Sequence, residues 1–320
     1  MHALGPCAAL ALAACASSGV TQPSAERSRL QWDEDDGSVA LLRDGHEVWR
    51  FHWGEERAKT CFHPLALPEG LVLTRDQPAD HRWHHGLWFS WKYIDGVNYW
   101  EHDRKTGRPA GRTTCRWRNT ERRDDGSASI RLQIEYGPDG AAPVLAEERT
   151  LRVSAPADDG SFHIDWTARF TAQAEQVVLD RTPLPGEPDG KAHGGYAGLS
   201  LRLGDFADRE AVTCEGPVAW NAQDRFRGRS AAFDYHGTLD GVPVGVAILA
   251  HEDNLNAPSP WYAIRSRGMS FFTPAVICFG AHRMVRGESF VLRYRVCVHP
   301  GAWDAARLQR ELRLFHEDHP

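Results

Sequence analysis

In FHIDWTARF (162–170), Phe162, Ile164, Trp166, Ala168 and Phe170 alternate with His163, Asp165, Thr167 and Arg169. A period of two puts the first set on one face of an extended segment and the second on the other, which is the pattern of a half-buried antiparallel strand. Comparable strand-like runs are SVALLR (38–43), EVWRFHW (47–53), GLWFSWKY (86–93), ASIRLQIEY (128–136), AEERTLRVS (146–154), VPVGVAILA (242–250), MSFFTPAVICF (269–279) and SFVLRYRVCVH (289–299). Turn formers separate them: DDGS at 124–127 and again at 158–161, PDGA at 138–141 and LDGV at 239–242. Only residues 302–315 carry a helical period, through Ala305, Leu308, Leu312 and Phe315, with Asp304 near the start where the helix dipole favours an anion. No linker-like shift in composition divides residues 30 to 320. These patterns predict an all-β fold, a large antiparallel β-sandwich closed by a C-terminal helix, with residues 29–320 as a single domain. Alternation alone leaves a barrel open as well.

Composition narrows the partners. Apolar residues make up 42% of the chain, enough for a core, while 25% charged residues and a net charge of −6 give an ordinary surface with no basic block for nucleic acid. The 12 tryptophans supply bare aromatic faces on which sugar rings stack. Cys61, Cys115, Cys214, Cys278 and Cys297 show no CxxC or CxxH spacing, which argues against a cysteine-built zinc site. Being odd in number, they leave at least one free thiol.

The segment DHRWHHGLWFSWKYID (80–95) is harder to explain as core alone, because it sets His81, His84 and His85 beside Asp80. In its strand, Leu87, Phe89, Trp91 and Tyr93 suit a core face, leaving Trp88, Ser90, Lys92 and Ile94 on the other as a wall for a polyol. Upstream, a proline-rich loop carries His63, Arg75, Asp76 and Asp80; downstream, NYWEHD (98–103) adds Trp100, Glu101 and His102. Three uses of the histidines stay open: coordination of a divalent metal by His81, His84 and His85 with a distant ligand, acid/base catalysis, or hydrogen bonding within a buried loop. Three more loops are aimed at the same place: KAHGGYAGLSLR (191–202) with His193, HEDNLNAPSPWYAIR (251–265) with His251, Asn256 and Trp261, and FGAHRMVRGE (279–288). GxSxG, P-loop, GxGxxG and HExxH motifs are all missing from the sequence, so serine hydrolysis and a nucleotide cofactor have no support.

At the N-terminus, ALALAAC (9–15) places a short apolar run before Cys15, and Leu12-Ala13-Ala14-Cys15 is similar to the bacterial lipobox at which a signal is cut and the cysteine lipidated. The run is too short to span a bilayer. Residues 1–15 are thus expected to form a lipoprotein signal and 16–28 a small, polar tether, with an ordinary cleaved secretory signal as the alternative. By the sorting rule of bacterial lipoproteins, Ala16 in place of Asp directs the chain to the outer membrane, so the lipid is its expected membrane contact.

HPLALPEG, LTRDQPADHRWHHGLWFSWKYIDGVNYWE, GGYAGLSLR and HEDNLNAPSPWY together resemble a bacterial family catalogued as PmoA-like, or "methane oxygenase", and later relabelled a domain of unknown function. The resemblance spans most of residues 40 to 300. It implies a secreted all-β protein with a sugar-binding sandwich of the galactose mutarotase type, and it supplies no catalytic residues. The expected function is then a carbohydrate-active enzyme of lyase, hydratase or epimerase type, acting on a sugar or oxidised glycoside. In it His81, His84 or His85 moves a proton, and Lys92, Arg75 or a divalent ion stabilises a developing oxyanion. His63, Asp80, Trp88, Trp100, Glu101, His193, His251, Asn256 and Trp261 are the expected binding residues. The alternative is a sugar-binding lipoprotein without catalysis.

Overall fold

Alternation decides which sheet face each side chain meets: the inner faces of the two large sheets are buried against each other, and their outer faces are covered in part. A computed structural model of the protein describes residues 1–2, 29–54 and 56–319, so the expected signal (apart from Met1 and His2) and tether lie outside the described residues. One open antiparallel sheet runs Leu30–Glu34, Ser38–Arg43, His46–His52, Cys61–Leu67, Leu87–Ser90, Gly198–Leu203, Ser270–Pro274, Pro260–Ile264 and Arg225–Arg229, with Leu71–Val72 paired off this path. A second runs Gly216–Pro217, Ala207–Thr213, Ala232–Leu239, Val242–Ala250, Ser289–Pro300, Phe162–Ala172, Leu145–Val153, Ala128–Pro138 and Gly111–Arg122. Among the described residues both sheets end on unpaired edges, which makes the fold a sandwich and not a barrel.

A continuous apolar cluster between the sheets extends from Val39 to Val298. Phe89 meets Phe170 across it with ring centroids 5.1 Å apart, and Trp261 stacks on Phe233 at the same distance. The outer face of the second sheet is covered by the C-terminal helix, Ala305–Asp318, whose Leu308 and Phe315 pack with Ala232, Ala247, Leu249 and Cys297. Asp304 caps that helix by accepting from the Arg307 amide at 2.7 Å. The outer face of the first sheet carries a separate cluster that includes Trp88, Trp100, Tyr196, Tyr262 and Phe271.

A strand forms in each of the predicted stretches, though two stop early. GLWFSWKY leaves the sheet after Ser90, whose hydroxyl donates to the Trp91 and Tyr99 carbonyls, and MSFFTPAVICF turns after Pro274. The strand Gly111–Arg122 is invisible to an apolar pattern because it is an edge strand with a largely polar sequence, GRTTCRWRNTER. The five described cysteines are all free, with Cys61, Cys278 and Cys297 buried.

Candidate functional site

The loop before Leu87–Ser90 is built from consecutive tight turns. The His81 amide donates to the Pro78 carbonyl, and the His84 amide to that of His81, each at 2.9 Å, while the Gln77 amide returns to the His84 carbonyl at 2.7 Å. A turn from 81 to 84 brings those two rings to the same side, with centroids 4.8 Å apart, and sends His85 to the other. The expected convergence of His81, His84 and His85 on one metal therefore does not occur. Gly86, at φ +70°, lets the chain re-enter the sheet; a Cβ there would overlap the Phe62 carbonyl oxygen. Gly86→Ala is expected to cost at least 1–3 kcal/mol in a urea melt; an unchanged midpoint would show that the loop can move aside.

A cleft of about 510 Å³ opens above this loop on the outer face of the first sheet. Asp80, His81, Trp83, His84, Trp100, Glu101, His193, Tyr196, Tyr262 and Phe271 are in its wall, as are Arg225, Arg267 and parts of the 264–269 turn. His81 stands at the half-exposed side, its Nδ1 2.8 Å from Asp80 Oδ2. His84 lies deeper, stacked on Phe271 at 5.2 Å and tilted against Trp88 at 5.0 Å. Arg202 Nη1 approaches its Nδ1 at 3.5 Å, and because a guanidinium can only donate, the neutral ring carries its proton on Nε2. Burial, followed by the fields of His81 and Arg202, holds His84 well below the usual histidine range.

Glu101 is also fixed before any ligand arrives. Its Oε1 accepts from the Tyr196 hydroxyl at 2.5 Å; Oε2 accepts from Lys92 Nζ, and from Asn98 Nδ2 at 2.8 Å. Burial pushes its pKa up, but Lys92, Tyr196 and Asn98 outweigh burial and hold the carboxyl below its normal value. Behind this wall the buried Lys59 donates to the Trp100 and Trp83 carbonyls at 2.7 and 3.2 Å, and burial pulls its pKa to about 7 against the opposing charge of Glu101.

Among the expected site residues, Asp80, His81, His84, Trp100, Glu101 and His193 share the cleft. Trp88 and Lys92 support it from behind, both buried, so Trp88 offers no free stacking face. His85 faces away, its Nδ1 3.2 Å from Asp76 Oδ1. His63 is tied to Thr74 Oγ1 at 2.9 Å, and Arg75 forms an outer salt bridge with Asp205 at 2.9 Å. His251 sits under the C-terminal helix with its Nε2 2.7 Å from the His319 carbonyl oxygen. Asn256 donates to the Val276 carbonyl at 2.8 Å, tying its turn to the segment that follows Pro274. Trp261 faces the inter-sheet core and donates to the Ser230 carbonyl at 2.9 Å; strand alternation presents Tyr262 to the cleft in its place. Arg202 was legible as a lone charge in the wholly buried strand Gly198–Leu203, whereas nothing in local pattern marks Arg225 or Arg267.

Cys61, Asp76 and His85 have donor atoms within 4.8 Å of one another, a grouping that could hold a cation. The chemistry of the set disfavours it. Arg57 Nη1 already neutralises Asp76 at 2.8 Å, and burial lifts the Cys61 thiol to about 12, far from the thiolate a metal needs. His85 and His102 are held down to about 4, chiefly by burial. Both are thus neutral when folded at pH 7 and would bind a proton more readily unfolded, so their contribution to stability is full above about 6.5 and lost as pH falls towards 4. The melting temperature should fall across that window. His102→Gln and His85→Gln should each flatten the fall, and an unaltered slope in both would count against this origin.

Residues 38–313 match the model of a family described as "Family of unknown function (DUF6807)". The chain belongs to this family. Nothing in the DUF6807 match links it to PmoA or methane oxygenase, so the label that accompanied the sequence resemblance is set aside. No curated protein sequence matches the chain. In solved structures it is similar to a galactose mutarotase related enzyme from Lactobacillus acidophilus, at 8% identity and a TM-score of 0.37, over 86% of this chain and 99% of that one. It is also similar to a polysaccharide lyase at 10% identity and a TM-score of 0.29, over 90% of this chain but only 34% of the lyase. Likenesses this distant say nothing about the activity of the DUF6807 chain.

Proposed function

We propose that the cleft binds a sugar or oxidised glycoside and moves a proton on it, with His81 as the acid/base group and Asp80 orienting its ring. The observation that supports this most directly is the pairing of His81 with His84, rings tilted and 4.8 Å apart, in a hollow walled by Trp83, Trp100, Tyr196, Tyr262 and Phe271. Aromatic faces suit the apolar faces of sugar rings, and an imidazole that ligand and water can reach is suited to proton transfer near neutral pH. His84, neutral and held by Arg202, would donate from Nε2 to a substrate oxygen. Lyase, hydratase and epimerase reactions can each run through such a transfer. In a second reading the cleft only binds, which is favoured by Asp80 and Glu101 being engaged already with cations.

The test is incubation with simple, acidic and keto-glycosides in D2O, followed by NMR. Exchange of a carbon-bound hydrogen or a new product supports the enzyme, saturable shifts without either support the binder, and no interaction with any glycoside refutes both. Export and lipidation at Cys15 are part of the same proposal: labelled palmitate should enter the wild-type chain in a bacterial host and be lost in Cys15→Ala. Equal labelling of the two would sink it.

A further inference from the structure

The cleft holds more positive charge than its acids balance. Arg225 and Arg267 line it, and neither forms an ion pair among the described residues. Arg225 is held in place by donating from Nε to the Tyr262 hydroxyl at 3.2 Å and from Nη1 to the Gln223 carbonyl at 3.4 Å, which leaves Nη2 without a bond to a described residue. Arg267 lies in the turn closed by the Met269 amide on the Ser266 carbonyl, 2.9 Å, and that turn is anchored by Arg202 Nη2 on the Gly268 carbonyl, 2.7 Å. The cleft's carboxylates are Asp80, shared between His81 and Arg202, and Glu101, taken by Lys92. Counting Arg202, Arg225, Arg267 and Lys92 against Asp80 and Glu101 leaves an excess of two positive charges, in a protein whose net charge is −6.

We infer that Arg225 and Arg267 form a carboxylate subsite and that the ligand of the cleft is an acidic sugar of the uronate class. This rests on the sugar reading above and makes it specific. A guanidinium offers paired donors that match a carboxylate; Arg225 is half-buried in the cleft wall, where screening is weaker than in open water, and Arg267 is exposed at the rim. The field reaches the neighbouring group: burial first, then Arg225 and Lys92 against the pull of Glu101, keeps the His193 imidazole below its ordinary value. A neutral hexose would leave both guanidinium groups unmatched. A hexuronate would set its ring on the aromatic wall and its carboxylate between the arginines.

Calorimetric titration of the full chain with glucuronate and galacturonate, their methyl esters, glucose and cyclohexanecarboxylate tests this. At least one uronate should bind about 10- to 100-fold more tightly than its ester, and the advantage should shrink with added salt. In Arg225→Gln/Arg267→Gln the ratio should collapse to about one, with affinity for glucose and the esters retained, since one charged hydrogen bond is worth about that factor. Esters that bind as tightly as the acids, or a double variant that keeps the preference, overturn the carboxylate subsite and leave the sugar reading standing. Cyclohexanecarboxylate binding as well as the uronates overturns the sugar reading and with it the acidic-sugar assignment. Failure of all six compounds to bind overturns both.

Discussion

His81→Ala should lower turnover by about 10²- to 10⁴-fold, the range a positioned acid/base group contributes, with a melting temperature close to that of the wild type. The stability half of this expectation follows from placement: the His81 ring is half exposed and, among the described residues, its side chain has one hydrogen-bond partner, Asp80. Asp80→Asn should cut turnover less and should shift the pH-rate profile, because the carboxylate acts on the proton transfer through the imidazole it orients. His84→Ala is a poorer test of chemistry, since that ring is packed against Phe271 and Trp88 and its loss opens a hole in the wall. A His81→Ala variant that turned over an identified substrate at the wild-type rate would remove the proposed acid/base role.

Replacing Arg149 should produce the largest loss of stability. Its guanidinium is fully buried between the sheets, bonded to Glu147 through Nε and Nη2 and to Thr60 Oγ1 at 2.7 Å, and lies 4.5 Å over the Trp166 ring. Glu147 is equally buried and also accepts from the Tyr136 hydroxyl. Arg149→Met keeps most of the volume but strands a carboxylate in the core, an arrangement that costs about 3–5 kcal/mol. Adding Glu147→Gln removes the stranded charge and should recover much of the loss. Urea unfolding of the wild type, the single and the double variant measures both steps. A single variant within about 1 kcal/mol of the wild type, the value expected of an exposed pair, would mean that water reaches the site.

The same strand shows how far local pattern reaches. Leu145, Glu147, Arg149, Leu151 and Val153 share a buried face, so AEERTLRVS forms the strand its period predicts, yet its two central core residues are charged. Period identifies the face and says nothing of what is paired across it. Phe162–Ala172 makes the point from the other side. Its apolar face is buried as its alternation predicts, but Asp165 on the supposedly wet face is buried too, ion-paired with Arg295 at 2.6 Å and in contact with His319, because the C-terminal helix lies over it. In the site, the crowding of His81, His84, Trp100 and Glu101 in sequence was a sound guide, since residues within one or two tight turns stay close in space.

Distant loops could not be placed that way. His251 and Trp261 share a segment with Tyr262, but the first lies under the helix, the second faces the core and only Tyr262 meets the cleft. Residue order alone therefore determined the all-β class, the position of nearly every long core strand, the capped terminal helix and the histidine-rich loop, because period, turn chemistry and capping are local properties of a chain. Tertiary structure decided that His81 pairs with His84 and turns His85 away, and that Arg202, Arg225 and Arg267 join them from strands and turns far along the chain. Which residues face each other across a sheet depends on strand order and register, and those are set by the packing of the whole sandwich.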